Sequence, residues 1–84
     1  MMNPYIDNDD IRTFSESVDE MELIWHRDRA DRKITVLEGR DWKIQMDNEL
    51  PVSLEVGKTY FIPKLIYHRV LKGTTDLKIR LEEC

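Results

Sequence analysis

Polar and apolar residues alternate along most of the chain beyond residue 20, and this two-residue period is typical of β-strands. The clearest case is the segment 41–47, in which Trp42, Ile44 and Met46 alternate with polar residues. The segment 76–81 repeats the pattern with leucine and isoleucine. Because successive side chains of a strand point to opposite faces, each segment predicts a strand with one buried face.

The same criterion predicts seven short strands, at residues 21–26, 33–37, 41–47, 52–56, 59–62, 65–71 and 76–81. Glycine and proline residues separate the later strands, at Gly39, Pro51, Gly57, Pro63 and Gly73. From residue 39 onward they leave no uninterrupted window that is long enough for a stable helix. Many short strands joined by turns predict an all-β fold, namely a small antiparallel β-barrel or jelly roll.

Residues 1–20 lack this period and are rich in acidic side chains. We therefore predict an irregular N-terminal arm at residues 1–20 and one β-barrel domain at residues 21–84. Within the arm, Ser17-Val18-Asp19-Glu20 resembles the capping box at the start of a helix, which predicts one short helical turn.

Size and charge narrow the choice of partners. A chain of 84 residues buries only about 60% of the surface that its unfolded form exposes, so a bound metal or a homodimer partner would add stability. The formal net charge of −4 argues against nucleic acid as the main partner, because phosphate binding requires a basic face. No apolar run is long enough to span a bilayer, so we expect no membrane partner.

The expected location is the cytoplasm. Cys84 is the single cysteine and cannot form a disulfide within the chain, which favours a reducing compartment. The first residues, Met1–Tyr5, do not begin a signal peptide, because no basic region is followed by an apolar one.

Two histidines and one aspartate are the candidates for chemistry. His26 and Asp28 are two residues apart and share one face of a strand, and His68 shares a face with the apolar Val70. If both histidines face the interior, the three side chains converge in an apolar pocket. Two imidazoles and a carboxylate with open positions opposite form the facial site of non-haem iron(II) oxygenases, and they also suit manganese, nickel or zinc. We predict His26, Asp28 and His68 as metal ligands, with iron(II) as the first choice.

The same residues carry a resemblance to the cupin family. The second motif of that family reads G-x5-P-x-G-x2-H-x3-N, and Gly57, Pro63 and His68 match it with the correct spacing. His26 and Gly39 match the first motif, G-x5-H-x-H-x3,4-E-x6-G. The resemblance covers about three-quarters of the chain. It implies a jelly-roll barrel, a metal held by the matching residues and frequent dimerisation.

The chain departs from the family pattern in both motifs. Asp28 stands where the family has its second histidine, and Arg32 stands where it has glutamate. Leu65 replaces the glycine of the second motif, and Lys72 replaces its asparagine. A guanidinium has no lone pair to give to a metal. The usual set of three histidines and one glutamate is therefore absent, and at most three ligands remain.

Arg32 and Tyr60 are the candidates for contact with a small-molecule ligand. Arg32 shares an inward face with Ile34, and a buried guanidinium requires a partner. It either pairs with Asp28, which makes the site a structural ion pair, or binds the carboxylate of a small acidic substrate. Tyr60 is a further candidate to line the pocket, although its position in a strand does not decide its orientation.

Three functions are consistent with these features. The first is a metal-dependent enzyme, such as an oxygenase or isomerase, that acts on a small organic acid. The second is a non-catalytic module that binds a small ligand, and the third is a structural protein in which Asp28 and Arg32 simply pair. A jelly-roll fold supports many activities, so the sequence leaves open whether the protein is an enzyme.

Overall fold

The computed structural model of the protein describes residues 5–84, and the first four residues lie outside this range. The expectations that fall on residues 1–4, namely the missing signal peptide and the start of the arm, therefore lie outside the described residues. The described strands are β1 (Tyr5–Asn8), β2 (Ile11–Phe14), β3 (Arg32–Glu38), β4 (Lys43–Met46), β5 (Val52–Ser53), β6 (Thr59–Ile62), β7 (His68–Leu71) and β8 (Leu77–Glu83). The fold is all-β, as the alternating pattern predicts.

The strands form two antiparallel sheets. The larger sheet has the order β1-β2-β8-β3-β6, and the smaller has the order β5-β4-β7. The predicted all-β antiparallel fold is confirmed, but among the described residues the two sheets do not close into a barrel, because each sheet ends in two edge strands. The arrangement is compatible with a small sandwich of jelly-roll type.

The core lies between the two sheets. Alternate residues of the two long strands point inward, with Ile34 and Val36 on β3 and Leu77 and Ile79 on β8 all buried. Ile44 of β4 meets them from the smaller sheet. Burial of these apolar side chains is the main stabilising contribution, at roughly 1.5–3 kcal/mol for each fully buried aliphatic residue. The alternation seen in the sequence thus corresponds to the buried face of each strand.

The predicted irregular arm is wrong for residues 5–14, which form a hairpin. Tyr5 pairs with Phe14 and Asn8 pairs with Ile11, so Asp9 and Asp10 are the two connecting residues. Asp9 has a positive φ of 57°, a conformation that aspartate tolerates better than most residues. Strand β2 also pairs with β8. The hairpin is therefore an integral edge of the larger sheet.

The predicted strand at residues 21–26 is also wrong. A short 3-10 helix occupies Glu20–Glu22, and the side chain of Asp19 caps it by accepting a hydrogen bond from the amide of Met21 at 3.0 Å. The predicted helical turn thus exists, but it begins later than the capping box suggested. Among residues 5–84, no helix is long and apolar enough to cross a membrane.

Candidate metal centre

An isolated β-bridge places the two histidines side by side. The amide of His26 donates to the carbonyl of His68 at 3.0 Å, and the amide of His68 donates to the carbonyl of His26 at 2.8 Å. Residues that exchange both hydrogen bonds in an antiparallel pair project their side chains from the same face. The two rings consequently lie edge to face with their centroids 4.3 Å apart. His68 is buried, whereas His26 is exposed.

Each imidazole is oriented by a backbone carbonyl two residues earlier. Nδ1 of His68 lies 2.9 Å from the carbonyl oxygen of Ile66, and Nδ1 of His26 lies 3.2 Å from that of Ile24. Since a carbonyl only accepts hydrogen bonds, Nδ1 must be the protonated nitrogen of each neutral ring. Both rings therefore present the lone pair of Nε2. An outer hydrogen bond of this kind is typical of histidines that bind metals.

Asp28 completes the cluster. Its carboxylate and the two imidazoles each offer a ligand atom, and these atoms all lie within 4.8 Å of one another. Oδ2 of Asp28 is buried without a hydrogen-bond partner and lies 3.4 Å from Nε2 of His68. Burial lowers the pKa of His68 from its ordinary value of 6.5, which favours the neutral ring. Two electron-pair donors therefore face each other, and a cation between them would satisfy both.

Arg32 lies next to this cluster. Its Nη1 is 3.4 Å from Oδ1 of Asp28, and its Nη2 is 3.4 Å from Oε1 of Glu83. The Nε of Arg32 is buried and has no hydrogen-bond partner. The structure therefore shows the ion pair with Asp28 that the sequence suggested as one alternative. It also shows a spare N–H donor on the same guanidinium.

The predicted role of Tyr60 in the pocket is wrong. Its hydroxyl donates to the carbonyl of Ser53 at 2.9 Å and accepts from the amide of Glu55 at 2.8 Å. The ring does not line the cavity that contains the histidines. These two hydrogen bonds satisfy one backbone group in the last residue of β5 and one just after the strand. Strand β5 is shorter than predicted and ends at Ser53. Tyr60 thus has a structural role in holding the loop before Gly57.

The cluster opens on a cavity of about 570 Å³ between the two sheets. Apolar side chains of both sheets form most of its wall, among them Ile34, Ile62 and Ile79 of the larger sheet and Ile44 and Val70 of the smaller. The side chains with polar atoms on this wall are Tyr5, Arg12, His26, Asp28, Arg32 and His68. A concave apolar site with a few convergent polar groups is the usual form of a small-molecule pocket.

The N-terminal hairpin contributes Tyr5 and Arg12 to the wall of the cavity, and the sequence did not predict either of them there. Arg12 donates from Nε and Nη2 to the two carboxylate oxygens of Asp7, at 2.7 and 3.1 Å, and its guanidinium lies 3.7 Å from the centre of the Tyr5 ring. The hydrogen bond from Arg12 lowers the pKa of Asp7. The acidic turn Asp9-Asp10 between two segments with apolar residues was the available sign of this hairpin.

Leu65 has a backbone conformation that suits glycine. Its φ is 64°, and its amide donates to the carbonyl of Asp28 at 2.7 Å. The left-handed conformation is unfavourable for a residue with a Cβ atom. Leu65 stands at the motif position where the cupin pattern has glycine. Through this backbone hydrogen bond, Leu65 connects the loop before β7 to the segment that carries Asp28.

Replacing Leu65 by glycine is expected to raise the free energy of unfolding by about 0.5–1 kcal/mol. Relief of left-handed strain is worth about 1–2 kcal/mol, and the larger entropy loss of glycine offsets part of it. Leu65 is 54% exposed, so little packing is lost. Urea unfolding of Leu65→Gly beside Leu65→Ala isolates the strain, because alanine keeps the Cβ atom. A Leu65→Gly variant less stable than Leu65→Ala would contradict this account.

Comparison with known proteins gives a likeness at the level of the fold. No protein-family model and no curated protein matches the sequence. Among solved structures, the crystal structure of protein NMB1881 from Neisseria meningitidis resembles this chain with a TM-score of 0.62. The alignment covers 94% of this chain and 78% of that one, at 16% sequence identity. At this identity the likeness concerns the fold alone, since one fold hosts many functions.

Proposed function

We propose that the protein is a cupin-like protein that binds one divalent metal ion through His26, Asp28 and His68 and holds a small organic ligand in the adjoining cavity. The observation that carries this proposal is the convergence of three atoms with free lone pairs. One ligand atom from each of His26, Asp28 and His68 lies within 4.8 Å of the others. The Nδ1 hydrogen bonds leave the Nε2 atoms as acceptors, and Oδ2 of Asp28 is buried without a hydrogen-bond partner.

The donor set suits a metal with an incomplete protein shell. Two imidazoles and one carboxylate supply three ligands and leave positions for water, oxygen or substrate. Iron(II) is the first choice on this donor chemistry, with manganese, nickel and zinc as alternatives. Such an ion would act as a Lewis acid or bind oxygen, which fits a metal-dependent oxygenase or isomerase. The chain's own residues would hold the ion and orient the ligand.

Two backbone features support the cupin-like assignment. Gly57 and Leu65 occupy the two glycine positions of the second motif, and both have positive φ angles, of 88° and 64°. The turn geometry that glycine permits is thus present at both positions, even where the residue is leucine. The homodimer and the cytoplasmic location stay predictions, and sedimentation of the purified protein tests the first of them.

Elemental analysis of the purified, untagged protein tests the metal proposal. The protein is prepared anaerobically, offered iron(II), manganese, nickel or zinc, and freed of excess metal. We expect about one ion per chain in the wild type and a loss of the ion in His26→Ala, His68→Ala and Asp28→Asn, because each variant removes a ligand. Asp9→Asn is the matched control, since asparagine tolerates the positive φ of this turn residue.

The alternative function is a structural or ligand-binding domain without a metal. The contact of 3.4 Å between Arg32 and Asp28 favours it, because an ion pair by itself can neutralise the carboxylate. Under this alternative the wild type retains no metal under any of the four conditions. An equal metal content in the wild type and in the three ligand variants would place the ion elsewhere and overturn the proposal.

A further inference from the structure

The cavity beside the cluster has one polar region and mostly apolar walls. Its wall includes the core residues Ile34, Ile44, Ile62 and Ile79, which belong to both sheets. A volume of about 570 Å³ lies in the range that holds small organic ligands, roughly 300–1,000 Å³. A ligand that fills this space needs an apolar body, because buried polar groups without partners are unfavourable.

The charges around the cluster indicate which net charge the polar end of such a ligand should carry. Asp28 and Glu83 flank Arg32, and Arg12 is neutralised by its paired contact with Asp7. With neutral imidazoles, a divalent ion on the cluster leaves one positive charge uncompensated. A ligand with a single negative charge balances it.

The unpaired donor of Arg32 specifies the kind of anion. Nε is buried and without a partner, whereas the two terminal nitrogens face Asp28 and Glu83. One N–H and one open metal position can be satisfied together by the two oxygens of a carboxylate. Nε and Nη2 of Arg12 already donate to the carboxylate of Asp7. Arg12 is therefore not free to serve as the second cation that a dianion such as phosphate would favour.

We propose that the cavity binds an apolar monocarboxylate, with its carboxylate between the metal and the guanidinium of Arg32, which lines the cavity, and its hydrocarbon body among the core isoleucines. This inference rests on the proposed function and specifies the class of ligand for the same site. The expected ligand is a fatty or similarly apolar acid, and not a sugar, a phosphate ester or a neutral compound.

Isothermal titration with a chain-length series tests the ligand class. Butyrate, hexanoate and octanoate are titrated into metal-loaded and metal-free protein, with octan-1-ol as the neutral counterpart of octanoate. We expect affinity to rise about fourfold per methylene group, as burial of hydrocarbon predicts, and octanoate to bind more tightly than octan-1-ol. Leu81→Phe, which narrows the cavity, should weaken octanoate more than butyrate.

Arg32 variants test the polar end. Arg32→Met should weaken octanoate binding by about tenfold to a hundredfold, because a hydrogen bond to a charged group is lost. Arg32→Lys keeps the charge and so protects the fold, but it lacks the Nε donor and should also bind octanoate more weakly. Lys33→Met is the matched control, because Lys33 is an exposed neighbour on β3 that does not line the cavity.

The metal content of every sample separates this inference from the proposed function. Metal retention with equal binding of octanoate and octan-1-ol would overturn the monocarboxylate and leave the metal site intact. Octanoate binding that requires Arg32 in a protein that retains no metal would support the carboxylate contact and count against the metal. Wild-type affinity for octanoate in both Arg32 variants would overturn the proposed contact.

Discussion

A saturating concentration of the preferred metal is expected to raise the free energy of unfolding by about 4 kcal/mol. This value applies when the free metal is about a thousand times its dissociation constant, because an ion that binds only the folded state stabilises it by mass action. In a domain of this size, such a change moves the melting temperature upward by more than about 15 °C. Thermal unfolding followed by circular dichroism, with metal concentration varied, measures the shift and its saturation.

The His26→Ala variant is the sharpest control for this shift. His26 is exposed, so its removal should leave the stability of the metal-free protein nearly unchanged while abolishing the response to metal. His68 is 3% exposed, and His68→Ala should lower the metal-free stability as well. For this variant the response to added metal, not the absolute melting temperature, is the relevant measurement. A full response in His26→Ala would show that the stabilising ion binds at another place.

Alanine in place of Trp42 is expected to lower the free energy of unfolding by about 3–5 kcal/mol. Trp42 is completely buried, its Nε1 donates to the carbonyl of Thr75 at 2.6 Å, and its ring packs against Phe14 with centroids 5.8 Å apart. A Cβ atom on Gly73 would collide with the Trp42 ring, so the backbone approaches the indole closely. Urea unfolding at constant temperature measures the change, and a two-state transition permits its conversion to free energy.

Two matched substitutions show which property of Trp42 matters. Trp25 is 38% exposed, so Trp25→Ala should change the free energy of unfolding much less than Trp42→Ala. Trp42→Phe keeps most of the buried ring but leaves the carbonyl of Thr75 without this donor, which should cost about 1–3 kcal/mol. Equal losses in Trp25→Ala and Trp42→Ala would contradict the assignment of Trp42 to the core.

The alternating segments were predictable because their pattern reflects burial of one strand face. Trp42 and Ile44 are buried and Met46 packs against them, as the period of two requires. The hairpin at residues 5–14 was missed for a physical reason. Its strands have only four residues each, and β2 is held by pairing with β8 at the other end of the chain. Local sequence does not reveal a partner that is more than sixty residues away.

For the candidate cluster too, the sequence predicted part of the arrangement and the tertiary structure decided the rest. The two-residue spacing of His26 and Asp28 predicted a shared side, and the structure brings both next to His68. The predicted strand around His26 does not exist. A single β-bridge to His68 positions His26 instead. Tyr60 was predicted to line the pocket, but its hydroxyl instead donates to the carbonyl of Ser53. The alternation of faces along a strand does not indicate which backbone groups a side-chain hydroxyl contacts.

By itself, the sequence determined the all-β class, the buried faces of the later strands and the identity of the possible metal ligands. These properties follow from residue type and from the two-residue period of an extended chain, which are local. Only the tertiary structure decided that two sheets form in place of a barrel, that Arg32 contacts both Asp28 and Glu83, and that the hairpin residue Arg12 lines the cavity. Those features depend on contacts between distant segments, whose geometry is set by the packing of the whole domain.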